Sequence, residues 1–216
     1  MFIPLPVRVP KVVKWYYNQY VWDKFRESEK KKELFLTFDD GPIPEVTPWV
    51  IETLNNYGAK ATFFCIGDNV RKHPEIIKLH EDAGNTVANH TMNHLKGWVT
   101  PKGDYVNNVL QAEAMINEHI STPLRKMLRP PYGKIKANQA KELIKEGYEI
   151  ILYDVIAYDW DKEVSPEKCY DNIAKNVKSG SIIVFHDSLK AERNMKYALP
   201  RVLEKFTEEG YTFKAL

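Results

Sequence analysis

Apolar residues in this chain fall into two patterns: short unbroken runs, and longer stretches in which they recur every three or four positions. Leu34–Phe38 is a run stopped by Asp39-Asp40-Gly41-Pro42, and Gly and Pro are the strongest breakers of regular structure. Thr47–Tyr57 has helical spacing, with Thr as its cap, Pro in its first turn and Gly58 at its end, as helix boundaries require. Ala61–Ile66 reads as a buried strand, Asn69–Ala83 as a helix, and Thr86–Ala88 as a short strand running into His90. Helical spacing returns over Asp104–His119, Ala137–Glu146, Ser165–Lys178 and Asn194–Glu209. Strand-like runs recur over Met127–Arg129, Glu149–Tyr153, Ser181–Phe185 and Tyr211–Lys214. Strand and helix thus alternate about seven times, which predicts parallel strands joined by crossover helices, an α/β fold. A barrel and a doubly wound sheet both satisfy the pattern, and in either the chemistry belongs beyond the carboxyl ends of the strands.

Composition removes whole classes of function. The 216 residues suggest one domain with an appendage, at roughly 150 residues per domain. Thirty-one cations against 29 acids leave a net charge of +2, too balanced for nucleic acid to be the expected partner. No apolar run approaches the roughly 18 residues of a membrane span. Cys65 and Cys169 are the two cysteines, too few for a disulfide framework. Met1–Pro10 carries three prolines and no long apolar core, so no secretory signal is expected. That points to the cytoplasm, with peripheral membrane association left open. Residues 11–26 mix cations with aromatics. They are read as a segment packed on the domain's own surface in preference to an interfacial membrane helix. The charged run 27–33 reads as a solvated connector. The division expected is therefore an N-terminal segment, residues 1–33, and a catalytic domain, residues 34–216. Oligomeric state is not legible.

The unusual polar residues cluster just after strands: Asp39-Asp40, His90 to His94, Arg129 to Gly133, Asp154, Asp159-Trp160 and His186-Asp187. His90 and His94 have i,i+4 spacing, which places two imidazoles on one face of a helical turn as a bite for a metal. A carboxylate from another strand end would complete a two-His, one-acid set with an open position. Asp39 and Asp40 alternate on a strand, so both reach one site only if the chain bends between them. Pro130 and Pro131 lack an N–H, leaving that of Tyr132 as a fixed donor suited to an oxyanion. Trp98 and Trp160 offer flat surfaces that suit sugar faces. His73, His80 and His119 lie on predicted helices and are read as surface residues.

In this order, Thr37-Phe38-Asp39-Asp40-Gly41-Pro42, His90-Thr91-Met92-Asn93-His94, Arg129-Pro130-Pro131-Tyr132-Gly133, Asp159-Trp160 and Val184-Phe185-His186 resemble the five motifs of the polysaccharide deacetylases. This is carbohydrate esterase family four, the NodB-homology domain. The resemblance spans residue 34 to about residue 215. It implies a distorted, incomplete (β/α) barrel of about seven parallel strands, and metal-dependent removal of acetyl groups from acetylated sugars of chitooligosaccharide, peptidoglycan or related type. By the same resemblance Asp40, His90 and His94 are the metal ligands, Asp39 the base and His186 the acid. Arg129 pairs with the base, Asp159 orients the acid, and Tyr132 and Trp160 line the groove; Trp98, read from its place after His94, is taken with them as a substrate-facing residue. Tyr153 stands where many members carry Trp. The donor set favours Zn²⁺, with Co²⁺, Ni²⁺ or Mn²⁺ also suited. Two other readings stay open: hydrolysis of a different non-peptide amide on the same scaffold, and a non-catalytic carbohydrate-binding relative.

Overall fold

The computed structural model describes residues 6–29 and 31–216. The first five residues of the expected leader-free N-terminus, and Lys30 of the charged run, lie outside the described residues. Seven strands form one parallel sheet: β1 (Glu33–Asp39), β2 (Ala61–Cys65), β3 (Thr86–Asn89), β4 (Met127–Leu128), β5 (Glu149–Ile150), β6 (Val155–Ile156) and β7 (Ile182–His186). An eighth, β8 (Thr212–Phe213), pairs with the start of β1. The helices are α1 (Lys11–Tyr16), α2 (Thr47–Asn56), α3 (Gly67–Lys72), α4 (Pro74–Asp82), α5 (Lys102–Asn117), α6 (Ala137–Lys145), α7 (Pro166–Ala174) and α8 (Glu192–Glu208).

The sheet order is β5-β4-β3-β2-β1-β7-β6. Order that advances around the sheet belongs to a curling barrel, not to a doubly wound sheet that reverses at a switch point. The fold is therefore an α/β incomplete barrel. Alternation along each strand sorts its side chains: Leu36, Phe38, Phe63, Ile183 and Phe185 face the helices, while Phe35, Phe64, Ala88, Ile182 and Val184 fill the interior. With period two, Asp39 and His186 fall on the interior side, and β1 and β7 bring them into register as direct neighbours.

The barrel is open between β5 and β6, and described parts of the N-terminal segment lie in that gap. Val9 N–H donates to Asp154 O (2.9 Å) and Ile156 N–H to Val7 O (3.0 Å). Val21 N–H donates to Ile150 O (2.9 Å), and Val21 O accepts from Leu152 N–H (2.7 Å). Val13, Val21 and Trp22 pack against the interior cluster, whereas Val12, Trp15 and Tyr16 face outward. Asp154 is not with the other strand-end groups. The run expected as one strand, Glu149–Tyr153, stops at Ile150, and Asp154 immediately precedes β6, bonding Ile182 at the start of β7, so it sits at the opposite end of the sheet. There its buried carboxylate accepts from Ser181 Oγ (2.7 Å) and Arg8 Nε (3.3 Å) and pairs with Lys14.

Two further expectations are corrected. Asn69–Ala83 is two helices, because Pro74 forces His73 out of the helical region to φ −135°, ψ 55°, as the residue before proline must be. His80 is not on the surface: with Ile76 and Ile77 it forms the buried stripe of α4, its ring 4.1 Å from that of Phe63. Neither ring nitrogen has a hydrogen-bond partner among the described residues, and burial holds the pKa down at about 3. Between pH 6.5 and 3 the unfolded chain takes up a proton that the fold refuses, so stability falls with pH, by up to about 1.4 kcal/mol per pH unit. His80→Phe is expected to flatten this acid limb. Urea unfolding at pH 7 and pH 4.5 checks it; an equal loss in both proteins overturns it.

Candidate active site

At the carboxyl end of the sheet the chain leaves β1 through Asp40, whose φ is +85°. This is the bend that lets two consecutive acids serve one basin. Three hydrogen bonds hold it: Asn69 Nδ2 donates to Asp40 O (2.8 Å), Gly41 N–H donates to Asp187 Oδ1 (3.0 Å), and Ile66 N–H donates to Gly41 O (2.9 Å). A Cβ on Gly41 would lie 2.0 Å from Asp187 Oδ2, so only glycine allows this approach. Thr47 Oγ1 donates to Asp187 Oδ2 (2.6 Å). Burial, with Asp40 adding to it, raises the Asp187 pKa to about 8.

His90 and His94 do come together, but not on a helical turn. The segment after β3 is a loop with Thr91 at φ +69° and His94 at φ +56°. Its backbone donors are satisfied by side-chain amides, which competes with helix formation. Asn89 Oδ1 accepts from Thr91 N–H (2.8 Å), and Asn108 Oδ1 from Met92 N–H (2.9 Å). His90 Nδ1 bonds Arg129 O (2.7 Å), so Nδ1 carries the hydrogen and Nε2 presents a lone pair, the orientation a metal-ligating His takes. His94 Nε2 lies 3.3 Å and His90 Nε2 3.7 Å from Asp40 Oδ1. The three donor atoms are within 4.8 Å of one another. Asp40 Oδ1 is buried with no hydrogen-bond partner among the described residues, and a buried orphan carboxylate oxygen calls for a cation. Burial first, then the neighbouring His90, lowers the His94 pKa to about 4, which keeps the ring neutral as a ligand must be. The residues fit a divalent metal.

Asp39 is buried against Arg129. Nη1 of Arg129 donates to Asp39 Oδ1 (2.7 Å) and Thr37 Oγ1 (2.6 Å), and Nη2 donates to Leu152 O (2.9 Å). The guanidinium lies 4.1 Å from the centre of the Phe64 ring. Burial alone would raise the Asp39 pKa; the Arg129 charge, then His90 and His186, more than offset it and hold the carboxyl below its ordinary range. Facing it, His186 Nδ1 meets Asp159 Oδ1 (2.8 Å), while His186 N–H donates to Asp159 Oδ2 (2.6 Å).

The aromatics form two walls. Trp160 stands edge-on to His186 with ring centres 4.6 Å apart and stacks on Tyr158 at 5.0 Å. Opposite, Tyr132, at φ +60°, lies 4.8 Å from the His94 ring, and Trp98 meets Tyr132 edge-on at 5.2 Å. Asp39, Asp40, His90, His94, Arg129, Tyr132, Asp159, Trp160, His186 and Trp98 are thus brought together here, whereas Asp154 is not. Asn69, Asn89, Asn108 and Thr47 were missed, because a small polar residue that braces a loop carries no periodicity or spacing signal.

The polysaccharide deacetylase family model matches residues 26–151. A peptidoglycan-N-acetylglucosamine deacetylase of Bacillus cereus is 33% identical over 187 residues, covering 86% of this chain and 67% of that protein. The peptidoglycan-N-acetylmuramic acid deacetylase PdaA of Bacillus subtilis is 29% identical over 193 residues, covering 87% of this chain and 71% of the relative. A crystal structure of a peptidoglycan N-acetylglucosamine deacetylase superimposes with a TM-score of 0.86 at 30% identity, over 94% of each chain.

Proposed function

This chain belongs to the polysaccharide deacetylase family, hydrolases of carbon–nitrogen bonds other than peptide bonds, and we propose that it deacetylates an N-acetylated glycan of peptidoglycan type. One observation carries the reading: a single basin holds an ionised acid on an arginine, an imidazole on a carboxylate, and an Asp-His-His donor set. Residues 34–216 carry all of these groups and form the catalytic unit, and described residues of the N-terminal segment, Val7 to Trp22, lie as a strap on the open side of the barrel.

Asp40, His90 and His94 would hold the metal; Zn²⁺ suits them, as do Co²⁺, Ni²⁺ and Mn²⁺. When bound, such an ion makes water more acidic and polarises an acyl oxygen. Asp39, with Oδ1 taken by Arg129, receives the proton of the attacking water on its other oxygen. Water oxygen bonds to the acetyl carbon, and the Tyr132 N–H faces the oxygen that becomes negative. His186 then delivers a proton to the amide nitrogen as the C–N bond breaks, because without that proton the nitrogen would have to leave as an anion. Asp159 offsets the charge on the imidazolium while His186 holds that proton. Acetate and a free amino sugar result.

Acetate release from a panel of N-acetylated oligosaccharides is expected, and it should disappear with chelator. Hydrolysis of small linear or cyclic amides, with none of saccharides, would move the chain to another substrate. The wild type should bind about one equivalent of divalent metal. His90→Ala with His94→Ala should bind none by elemental analysis; stoichiometric metal in that variant overturns the ligand assignment.

A further inference from the structure

Building on the deacetylase reading, we propose that the wall running from His94 through Tyr132 to Trp98 is a subsite for an anionic substituent on the glycan, a carboxylate or a phosphate ester. Tyr132 is 49% and Trp98 37% exposed, so the wall presents ring surface to a ligand lying beside the metal ligands. Two ammonium groups stand over it: Lys96 Nζ is 6.0 Å from the Tyr132 ring centre and Lys134 Nζ 5.0 Å from that of Trp98. Lys96 has no carboxylate partner among the described residues. The groove thus carries two ammonium groups on its His94 side, placed to meet a negative substituent on a bound sugar chain.

The cationic wall is built, not two loose loops. Gln139 is fully buried, its Nε2 donating to Gly97 O (2.9 Å) and Thr100 O (3.1 Å) while its Oε1 accepts from Lys136 N–H (2.9 Å). Lys136 Nζ adds a bond to Thr100 O (2.9 Å). A Cβ on Gly97 would come within 2.9 Å of Lys134 O, so the loop bearing Lys96 and Trp98 and the loop bearing Tyr132 and Lys134 are pressed together there. Lysine reads an anion as a point charge without demanding a planar acceptor, so carboxylate and phosphate share this chemistry. A neutral glycan would offer the Lys96 ammonium no counter-charge.

The test compares kcat/KM for a tetrasaccharide alternating N-acetylglucosamine with carboxylate-bearing N-acetylmuramic acid against its methyl ester. The ester keeps the shape and removes the charge. A second pair sets a 6-O-phosphorylated chitotetraose against chitotetraose. The wild type is expected to prefer at least one anionic member by about 3–10-fold, the scale of two exposed ion pairs. Salt at about 0.5 M should shrink that preference, since the screening length is about 10 Å at 0.1 M and shorter above it. Lys96→Met with Lys134→Met should bring the ratio to about one, and Lys96→Arg with Lys134→Arg should keep it. Which pair responds names the source of the anion. Acetate release from both members of each pair without preference, or a preference that survives the methionine variant, overturns the subsite and leaves the deacetylase reading standing. No acetate from any of the four overturns both.

Discussion

His186→Ala is expected to lower kcat by about 10²–10⁴-fold, the usual contribution of a general acid, while metal content stays that of the wild type. Burial alone would strip the proton from this imidazole; the Asp159 carboxylate, through its charge and its hydrogen bond, with Asp40 and Asp39 behind it, lifts the pKa instead to about 9. Asp39 is held below its ordinary range, so at neutral pH the base is ionised and the acid protonated, the separation this chemistry needs. The profile of kcat/KM against pH should be bell-shaped, its basic limb set by His186. A cation held at Asp40 repels the imidazolium and moves that limb below 9. Asp159→Asn removes the lifting charge and should shift the limb to lower pH without loss of metal. The stability linkage has the same sign: a folded pKa above the ordinary 6.5 contributes fully below pH 6.5 and is lost as pH rises through 9. If His186→Ala keeps wild-type kcat, or loses the metal together with activity, the acid is another group.

Much of this site was legible because its chemistry-bearing residues terminate strands, and a strand end is marked in sequence by the breaker that follows it. Asp39 precedes Gly41-Pro42, and Arg129 precedes two prolines. Element boundaries failed where a local rule beat the periodicity. Pro74 split one helical run in two, and the run at Glu149–Tyr153 left the β4 ladder after Ile150 to bond the N-terminal segment at Val21. The His90–His94 pair was found by the wrong geometry: i,i+4 spacing pointed to a helical turn, whereas a loop braced by Asn89 and Asn108 delivers the two rings. His80 was misplaced because a histidine in a helical pattern says nothing of which side is covered; the stripe of Ile76 and Ile77 on the same face was the overlooked signal. Asp154 shows the limit of reading strand ends from one sequence. An acid after an apolar run belongs to the site only if that run is a single strand, and here a second strand begins at Val155.

Arg129→Met is expected to be the most damaging single change to stability in the basin, and to disable the base at the same time. The guanidinium is 2% exposed and its contacts are all internal: Asp39, Thr37 Oγ1, Leu152 O and the Phe64 ring. Methionine fills much of the volume but leaves the Asp39 carboxylate buried without its cation. Breaking a buried pair from one side costs about 3–5 kcal/mol, because the remaining charge is uncompensated. Asp39 avoids part of that cost by taking a proton: with Arg129 gone, the burial that already pushes its pKa up is no longer outweighed. The acid limb of kcat/KM should therefore move to higher pH, and activity at neutral pH should fall with it. In the wild type the depressed folded pKa stabilises the protein above the ordinary 3.8 and that contribution is lost as pH falls through the folded value; in the variant this dependence should reverse. Asp39→Asn with Arg129→Met removes both charges, so its loss of stability should be smaller than the sum of the two single losses, the signature of a coupled pair. Urea unfolding of the four proteins, with pH profiles of the wild type and Arg129→Met, measures this. Additive losses, or an acid limb that does not move, would show that Arg129 fills space in the barrel without holding the base.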